Sequence, residues 1–212
     1  MLTDHPALDY VKHWRLALPR GRMIYDEAEA PKAFYRVERG CVRLQTTGMD
    51  GRRQILAFCL PGDFLGFEPG RSRMAAAETS IATELTVFPW SAIARLAEDP
   101  RCAPAVVAAA CEMISSLAAH LRTFGHGSVE DHLMGFLEWL ADRQGGLSAG
   151  AVVQLPMSRR DIADFLGIAN ETLSRTIGRL EARGLIQVAS RREIVLHPIS
   201  MRSQPSRRAA AL

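Results

Sequence analysis

Three side chains near the carboxyl end of the sequence, Glu171, Ser174 and Arg175, have types and spacing suited to recognising a planar polar partner. Residues at i, i+3 and i+4 share one face of an α-helix, so a helix here would present all three together. A guanidinium donates paired hydrogen bonds and a carboxylate accepts them, which matches the base edges in a DNA major groove. An exposed Glu–Arg pair at this spacing is also frequent on helices that bind nothing, so its surroundings decide.

The residues before this trio predict the first helix of a helix-turn-helix. Ser158 is a good N-cap for a helix that runs to about residue 166. Gly167 can end that helix, because glycine adopts the positive φ of a tight turn. Ala163 is small enough to let a second helix cross closely, and Ile168 is expected to be buried in the turn.

A second helix is predicted to begin near Asn170. Its inward face would consist of Leu173, Ile177 and Leu180. Its outward face near the N-terminus would consist of Asn170, Glu171, Ser174 and Arg175. At that end, which enters the major groove in such motifs, Arg175 could donate to guanine and Glu171 could accept from cytosine. Ser174 is small enough to meet a thymine methyl group or a base edge.

Basic side chains around the two helices predict contacts with a polyanion. From Pro156 onward the sequence has ten arginines and five acidic residues, whereas the rest of the chain is mildly acidic. Residues 185–188 and 194–196, joined through 190–192, predict a β-hairpin wing. The side chains expected to contact phosphate are those of Ser158, Arg159, Arg160, Arg179, Arg191 and Arg192.

The region before about residue 90 predicts an antiparallel sandwich or barrel, because short β-rich runs alternate with turn signals. The predicted strands are residues 34–37, 41–46, 53–59 and 79–88. Asp50 and Gly51 predict a hairpin tip between the second and third of these runs. A short strand is also predicted at 152–155, after the Gly145–Gly146 pair.

From about residue 91 to 143 the pattern changes to helix. Apolar residues at steps of three or four form a narrow seam on a long helix, namely Val106, Ala110, Met113, Leu117, Leu121 and Phe124. Such a seam favours pairing with a second copy of the chain, and the alternative is a helix that lies on its own sheet. Ser128 is a cap for a following helix, although Asp131 stands where a capping box has Glu or Gln.

With these motifs the chain resembles the CRP/FNR superfamily of bacterial transcription regulators, and most closely its FNR/FixK branch. The resemblance spans about residues 18 to 196 and is most specific at 155–176, supported by 60–67. It implies an α+β fold with a jelly-roll-like antiparallel β-roll sensor domain at 1–100, a long dimerisation helix at 101–125, and a winged helix-turn-helix at 126–200. Residues 201–212 are expected to form a disordered basic tail.

The resemblance also implies partners. The Glu-x-x-Ser-Arg pattern at 171–175 matches family members that recognise an inverted TTG/CAA-type repeat. The implied partners are double-stranded DNA, a second copy of the chain in a homodimer, and RNA polymerase. Ala169 departs from the family, which often has Ser or Thr at this helix cap. Either Asn170 takes over capping or the helix loses about 1 kcal/mol.

No cofactor is expected from the cysteines and histidines. No cysteine precedes Cys41, so the N-terminal cysteine cluster of the iron–sulfur members is absent. Haem is not expected, because His120, His126 and His132 fall on the helical stretch as solvent-facing or core-edge residues. The four cysteines form no CxxC pair and are expected to be buried thiols.

A cyclic nucleotide is not expected either. Gly66 is followed by Phe67 where nucleotide binders place Glu, and Arg73 is followed by Met74-Ala75 without the hydroxyl residue that helps to hold the phosphate. Arg71 or Arg73 could still meet an anion. A regulator that needs no small effector, and is controlled through its own amount, therefore fits best.

Other classes of protein fit the sequence less well. A metal-dependent β-barrel enzyme needs clustered histidines, yet none lies between His13 and His120. No nucleophile arrangement or Gly-rich phosphate loop indicates an enzyme. No apolar run reaches the length of a membrane span and the N-terminus lacks a secretory signal, so a cytoplasmic protein is expected. Two alternatives stay open: a regulator gated by haem, redox state or a nucleotide, and a ligand-binding or interaction module whose helix-turn-helix does not bind DNA.

Overall fold

A computed structural model describes residues 12–49, 51–67, 71–92, 98–100, 103, 104, 107, 111, 127–146, 148 and 150–197. The chain divides into two compact units, Met1–Arg122 and Thr123–Leu212. The predicted tail at 201–212 lies outside the described residues, and so does the predicted dimerisation seam of Val106, Ala110, Met113, Leu117, Leu121 and Phe124. The pairing of that helix therefore stays a prediction.

The described part of the first unit contains eight antiparallel strands. They are β1 (Trp14–Leu18), β2 (Met23–Tyr25), β3 (Ala33–Arg39), β4 (Val42–Thr47), β5 (Arg53–Cys59), β6 (Phe64–Leu65), β7 (Ala76–Thr79) and β8 (Thr83–Pro89). They form two four-stranded sheets, in the orders β1-β8-β3-β6 and β2-β7-β4-β5. The expected antiparallel β-roll is confirmed.

A shared core holds the two sheets together, because alternate side chains of each strand face inward. The first sheet contributes Val37, Leu65 and Leu85. The second contributes Tyr25, Val42, Cys59 and Ala77.

The expected burial of cysteine thiols is confirmed for Cys41 and Cys59 and is wrong for Cys111, which is exposed.

The predicted strand at 79–88 is only partly right: residues 83–88 lie in β8, whereas Thr79 is the last residue of β7, which lies in the other sheet. The chain changes sheets between Thr79 and Thr83, and the side-chain hydroxyls of both residues donate to backbone carbonyls there. Thr79 Oγ1 donates to the carbonyl of Pro19 at 2.6 Å. Thr83 Oγ1 donates to the carbonyl of Ile81 at 2.9 Å. Strands β1, β2 and β6 were not predicted, and β2 and β6 are too short to show an alternating pattern.

Gly40 lies where the backbone passes closest to this crossing between sheets. Its φ is +95°, a conformation that favours glycine. A Cβ atom at this position would come within 2.5 Å of the carbonyl oxygen of Ala82 and of Thr83 Oγ1. Only a residue without a side chain fits between β3 and β4 here.

Three helices and a three-stranded sheet make up the second unit over the residues that the structure describes. The helices are α1 (Val129–Arg143), α2 (Arg159–Leu166) and α3 (Asn170–Ala182). The strands are β9 (Val152–Gln154), β10 (Ile186–Ser190) and β11 (Glu193–Leu196), in the order β10-β11-β9. The two helices of the predicted helix-turn-helix, the helix predicted after Ser128, the short strand and the wing hairpin are confirmed. None of the helices in the described residues is long and apolar enough to cross a bilayer.

We expect Gly40→Ala to lower the free energy of unfolding by about 2 to 4 kcal/mol, because the substitution combines overpacking with an unfavourable φ. Gly51→Ala is the matched control: its φ is also positive, at +74°, but no atom lies within 4 Å of the added Cβ. The control should cost only about 1 kcal/mol. Chemical denaturation followed by circular dichroism measures both values, and equal losses would contradict the importance of the close approach.

Candidate nucleic-acid interface

The N-terminus of α2 is closed by a complete capping box. The Ser158 hydroxyl accepts a hydrogen bond from the backbone N–H of Asp161 at 3.1 Å. In return, Asp161 Oδ2 accepts from the backbone N–H of Ser158 at 3.0 Å and from its hydroxyl at 2.6 Å. The predicted cap is confirmed, with Asp in the position usually held by Glu or Gln. Both hydrogen-bond donors of Ser158 are thereby occupied, which disfavours the phosphate contact expected of it.

The turn between α2 and α3 has the predicted backbone. Gly167 adopts the left-handed conformation, with φ +67° and ψ +29°. The backbone N–H of Ile168 donates to the carbonyl of Ala163 at 3.0 Å, and the side chain of Ala163 is buried. The prediction that Ile168 is buried is only partly right, because it is half-exposed.

Helix α3 begins without a side-chain cap. Its N-cap is Ala169, and no side-chain hydrogen bond closes the first turn. Asn170 is the first helical residue and does not take over capping, so the second of the two alternatives holds. The cost is the N-cap contribution of about 1 kcal/mol.

The inner face of α3 is apolar with one exception. Leu173, Ile177 and Leu180 are buried as predicted. Thr176 is buried as well, which the apolar pattern did not reveal. Its hydroxyl donates to the carbonyl of Thr172 at 2.9 Å, so the buried polar atom is satisfied within the helix.

The outer face of the first turns of α3 carries the predicted recognition residues. Glu171 and Arg175 are 75% and 71% exposed, and Arg175 Nη2 lies 2.5 Å from Glu171 Oε1. Ser174 and Asn170 are also exposed, and the Ser174 hydroxyl donates to the Asn170 carbonyl at 3.0 Å. An exposed pair of this kind adds little stability, but it holds the guanidinium in one direction. The structure therefore brings all four residues together on a solvent-facing surface.

The wing carries its arginines at the tip. Arg191 and Arg192 form the exposed turn between β10 and β11. The Arg192 carbonyl accepts from the backbone N–H of Leu155 at 2.8 Å, which ties the tip to the sheet. On α2, Arg160 is exposed and Arg159 is half-buried. Within the described residues these four arginines have no ion-pair partner.

Arg179, in contrast, is held by a carboxylate that sequence reasoning missed. Its Nε donates to Glu130 Oε1 at 2.9 Å, and Arg183 Nη1 donates to Glu130 Oε2 at 2.5 Å. Glu130 lies in the first turn of α1, 49 and 53 positions away from its two partners. No local sequence pattern links residues so far apart. The phosphate contact expected of Arg179 therefore requires it to leave an ion pair.

A second unpredicted contact fixes the wing to the end of α1. Gln144 pairs with the backbone of Gln154, donating to its carbonyl at 2.7 Å and accepting from its N–H at 2.8 Å. The Gln154 side chain then donates to Glu193 Oε1 at 2.5 Å, on the strand that follows the wing tip. The amide of Gln144 thus satisfies the backbone at the edge of β9 as a neighbouring strand would.

A second capping box starts α1, where the sequence indicated only an approximate match. Asp131 Oδ2 accepts from the backbone N–H of Ser128 at 2.8 Å and from its hydroxyl at 2.7 Å. These hydrogen bonds hold the pKa of the Asp131 carboxyl below its usual value. The negative charge of this carboxylate also interacts favourably with the positive end of the helix dipole.

In the first unit the structure gives Arg73 an internal role. Its side chain is buried and donates to the carbonyls of Gly66 at 2.7 Å and Ala33 at 2.5 Å. The guanidinium also lies over the ring of Tyr25, 4.1 Å from its centroid. The interpretation of Arg73 as an anion contact is therefore not favoured, whereas Arg71 is exposed. Within the described residues, no group of three or more His, Cys, Asp or Glu side chains could hold a metal ion.

Two known families match the chain. Residues 132–200 match the Crp-like helix-turn-helix domain, which includes all four recognition residues and the wing. Residues 15–115 match the cyclic nucleotide-binding domain, which includes both sheets of the first unit.

Curated relatives cover most of the chain. It is 35% identical over 184 residues to the nitrogen fixation regulation protein FixK of Rhizobium meliloti, covering 86% of this chain and 83% of that protein. It is 39% identical over 180 residues to FixK of Azorhizobium caulinodans, covering 84% and 73%. The structure of FixK2 from Bradyrhizobium japonicum superposes with a TM-score of 0.79 and 34% identity, covering 88% of this chain and 93% of that one.

Ser158→Ala tests the capping role. We expect it to lower the free energy of unfolding by about 1 kcal/mol, because the N-terminus of α2 loses its cap. The salt dependence of DNA binding should stay at the wild-type slope, since the hydroxyl proton is committed to Asp161. A slope that becomes shallower by about one unit would instead support the phosphate contact.

Ala169→Ser adds a cap to the uncapped start of α3, whereas Ser158→Ala removes one from α2. A serine here supplies the missing acceptor, so the free energy of unfolding should rise by about 0.5 to 1 kcal/mol. Ala169→Val is the control, because it adds volume without an acceptor. Thermal unfolding measures both, and the absence of any gain with serine would show that the first turn is satisfied in another way.

Proposed function

The chain belongs to the CRP/FNR family of bacterial transcription regulators, in its FixK-like branch, and we propose that it binds an inverted TTG/CAA-type repeat as a homodimer. It is a DNA-binding transcription regulator of the FixK/FNR type. The observation that carries the proposed mode of binding is the exposed Glu171–Arg175 pair on the first turns of α3.

Base reading is assigned to the first turns of α3. Arg175 is the donor for guanine O6 and N7, and Glu171 accepts from cytosine N4 while it orients the guanidinium. Ser174 contacts a thymine methyl group or a base edge, and Asn170 modifies the base preference of the helix. The exposure of all four side chains supports these roles, because no rearrangement of the helix is needed to present them.

Phosphate contacts are assigned to arginines on either side of the recognition surface. Arg159 and Arg160 lie at the start of α2, while Arg191 and Arg192 lie at the tip of the wing. These contacts fix the register of the protein on the duplex and carry no sequence information themselves. Their freedom from ion pairs within the described residues supports the assignment.

The two-fold symmetry of the site follows from pairing of two copies through the predicted seam on the long helix. Half-sites would then lie about one helical turn, or roughly 34 Å, apart. RNA polymerase is proposed as the further partner through which binding changes transcription. A protein with this role acts on the chromosome, so we place it in the cytoplasm.

No small effector is proposed, and no enzymatic activity. The match to the cyclic nucleotide-binding domain favours an effector-gated regulator as the second candidate. Against a nucleotide stands the internal engagement of Arg73, whose guanidinium donates to the carbonyls of Gly66 and Ala33 and lies over the ring of Tyr25. The relatives that the chain matches carry the names of regulators and not of enzymes.

Selection of bound sequences from a random DNA pool tests the proposal directly. Purified protein should enrich an inverted repeat with TTG/CAA half-sites, and its absorption spectrum should show no haem or iron–sulfur bands. Enrichment of no motif would favour the module with a non-functional helix-turn-helix. Enrichment only after a small molecule is added would favour the effector-gated candidate.

Arg175→Ala should weaken binding to the selected site by about 1 to 3 kcal/mol, because two hydrogen bonds to one guanine are lost. Binding to random duplex should change little. Arg160→Ala is the control, since a lost phosphate contact weakens both duplexes alike. Equal losses on both duplexes for Arg175→Ala would contradict its base-reading role.

A further inference from the structure

Glu130 lies between an arginine of the recognition helix, Arg179, and the arginine that caps the end of this helix, Arg183. Its two carboxylate oxygens each accept one charge-assisted hydrogen bond, Oε1 from Arg179 and Oε2 from Arg183. A DNA phosphate bridges two guanidiniums in the same way, through its two non-bridging oxygens. We propose that Glu130 acts as an internal phosphate substitute that keeps Arg179 and Arg183 from capturing DNA backbone, and so limits nonspecific binding.

The exposure of the three side chains supports this role over a purely structural one. Arg179 and Arg183 are 57% and 62% exposed, so both guanidiniums reach solvent. Glu130 is only 22% exposed and lies on the protein side of the cluster. Ion pairs between largely solvated groups add little to stability. Their larger effect is on the charge that the helix presents to a polyanion.

The distribution of ion pairs in the second unit points the same way. Arg175 and Arg179 of α3, and Arg183 directly after its end, follow one another at intervals of four and are each paired with a carboxylate. The arginines of α2 and of the wing tip have no such partner within the described residues. The basic charge that is free to meet phosphate therefore lies at the edges of the interface, while the recognition helix is electrostatically balanced.

This balance has a consequence for the search along DNA. Affinity for random sequence comes almost wholly from phosphate contacts and counterion release, whereas the preference for a site comes from base edges. An internal carboxylate that binds two arginines lowers the affinity that comes from phosphate contacts. It leaves the preference that comes from base edges unchanged. Glu130 thus sets the absolute affinity and its salt dependence, while Glu171 and Arg175 set the preference. This inference rests on the DNA-binding function proposed above.

The test measures binding against salt for the full-length chain with Glu130→Gln, on random duplex and on the selected site. Each phosphate contact adds about 0.9 to the slope of log affinity against log salt, so two released arginines should steepen it by about 1 to 2 units on both duplexes. The gain in affinity should shrink about threefold per added contact as salt rises from 50 to 200 mM. A slope equal to that of the wild type, with only a lower melting temperature, would overturn the proposal.

Asp142→Asn is the matched control. Asp142 is an exposed carboxylate near the other end of α1, about 18 Å from Glu130 at 1.5 Å per residue, and its loss removes the same charge. It should leave the slope unchanged. The triple variant Glu130→Gln, Arg179→Gln, Arg183→Gln should return the slope to the wild-type value. A slope that stays steep in the triple variant would overturn the assignment to these two arginines.

A second measurement uses the wild-type protein and does not depend on a variant that folds. In arginine-labelled protein, the NMR signals of the Nε–H groups of Arg191 and Arg192 should move when random duplex is added. Those of Arg179 and Arg183 should stay where they are in the free protein. Movement of all four would overturn the proposal. The preference of the wild type for its selected site tests the proposed function separately, because the salt slope on random DNA needs no base reading.

Discussion

The mode of recognition depends on the close crossing of α2 and α3. Ala163 is buried on α2, where a single methyl group leaves room for a close crossing, and Gly167 supplies the left-handed residue that turns the chain between the helices. Once Leu173 and Ile177 are buried against the rest of the unit, the helical period leaves Glu171 and Arg175 no direction but outward. The packing of the apolar side chains of α3 therefore determines that Glu171 and Arg175 face solvent.

The pairing of arginines differs between the recognition helix and the segments that flank it. Carboxylates balance the arginines of α3, whereas the arginines that flank this helix, on α2 and on the wing, are left to solvent in the described part of the chain. The contacts of Gln144 with Gln154, and of Gln154 with Glu193, hold the wing at a fixed place relative to α1. Rigid placement matters because a base-reading contact is sensitive to small displacements, while a phosphate contact tolerates them.

Local sequence patterns predicted the features that depend on interactions between residues close together in the chain. The caps at Ser128 and Ser158, the turn at Gly167 and the inward face of α3 each follow from residues within a few positions of one another. The pairing of Glu130 with Arg179 joins residues 49 positions apart, so no window of sequence contains it. The same holds for the division of residues 79–88 into two strands, where contacts with distant backbone override a continuous β-rich pattern.

The central claim is that the first turns of α3 lie against base edges in the major groove. It is tested most directly by replacing single guanines of the selected duplex with 7-deazaguanine, which lacks the N7 acceptor but keeps its base pairing. We expect one guanine in each half-site at which this change weakens wild-type binding by about 1 to 2 kcal/mol, and no further loss there in the Arg175→Ala variant. Wild-type affinity that is unchanged at every guanine, with losses only when minor-groove groups are altered, would contradict the claim.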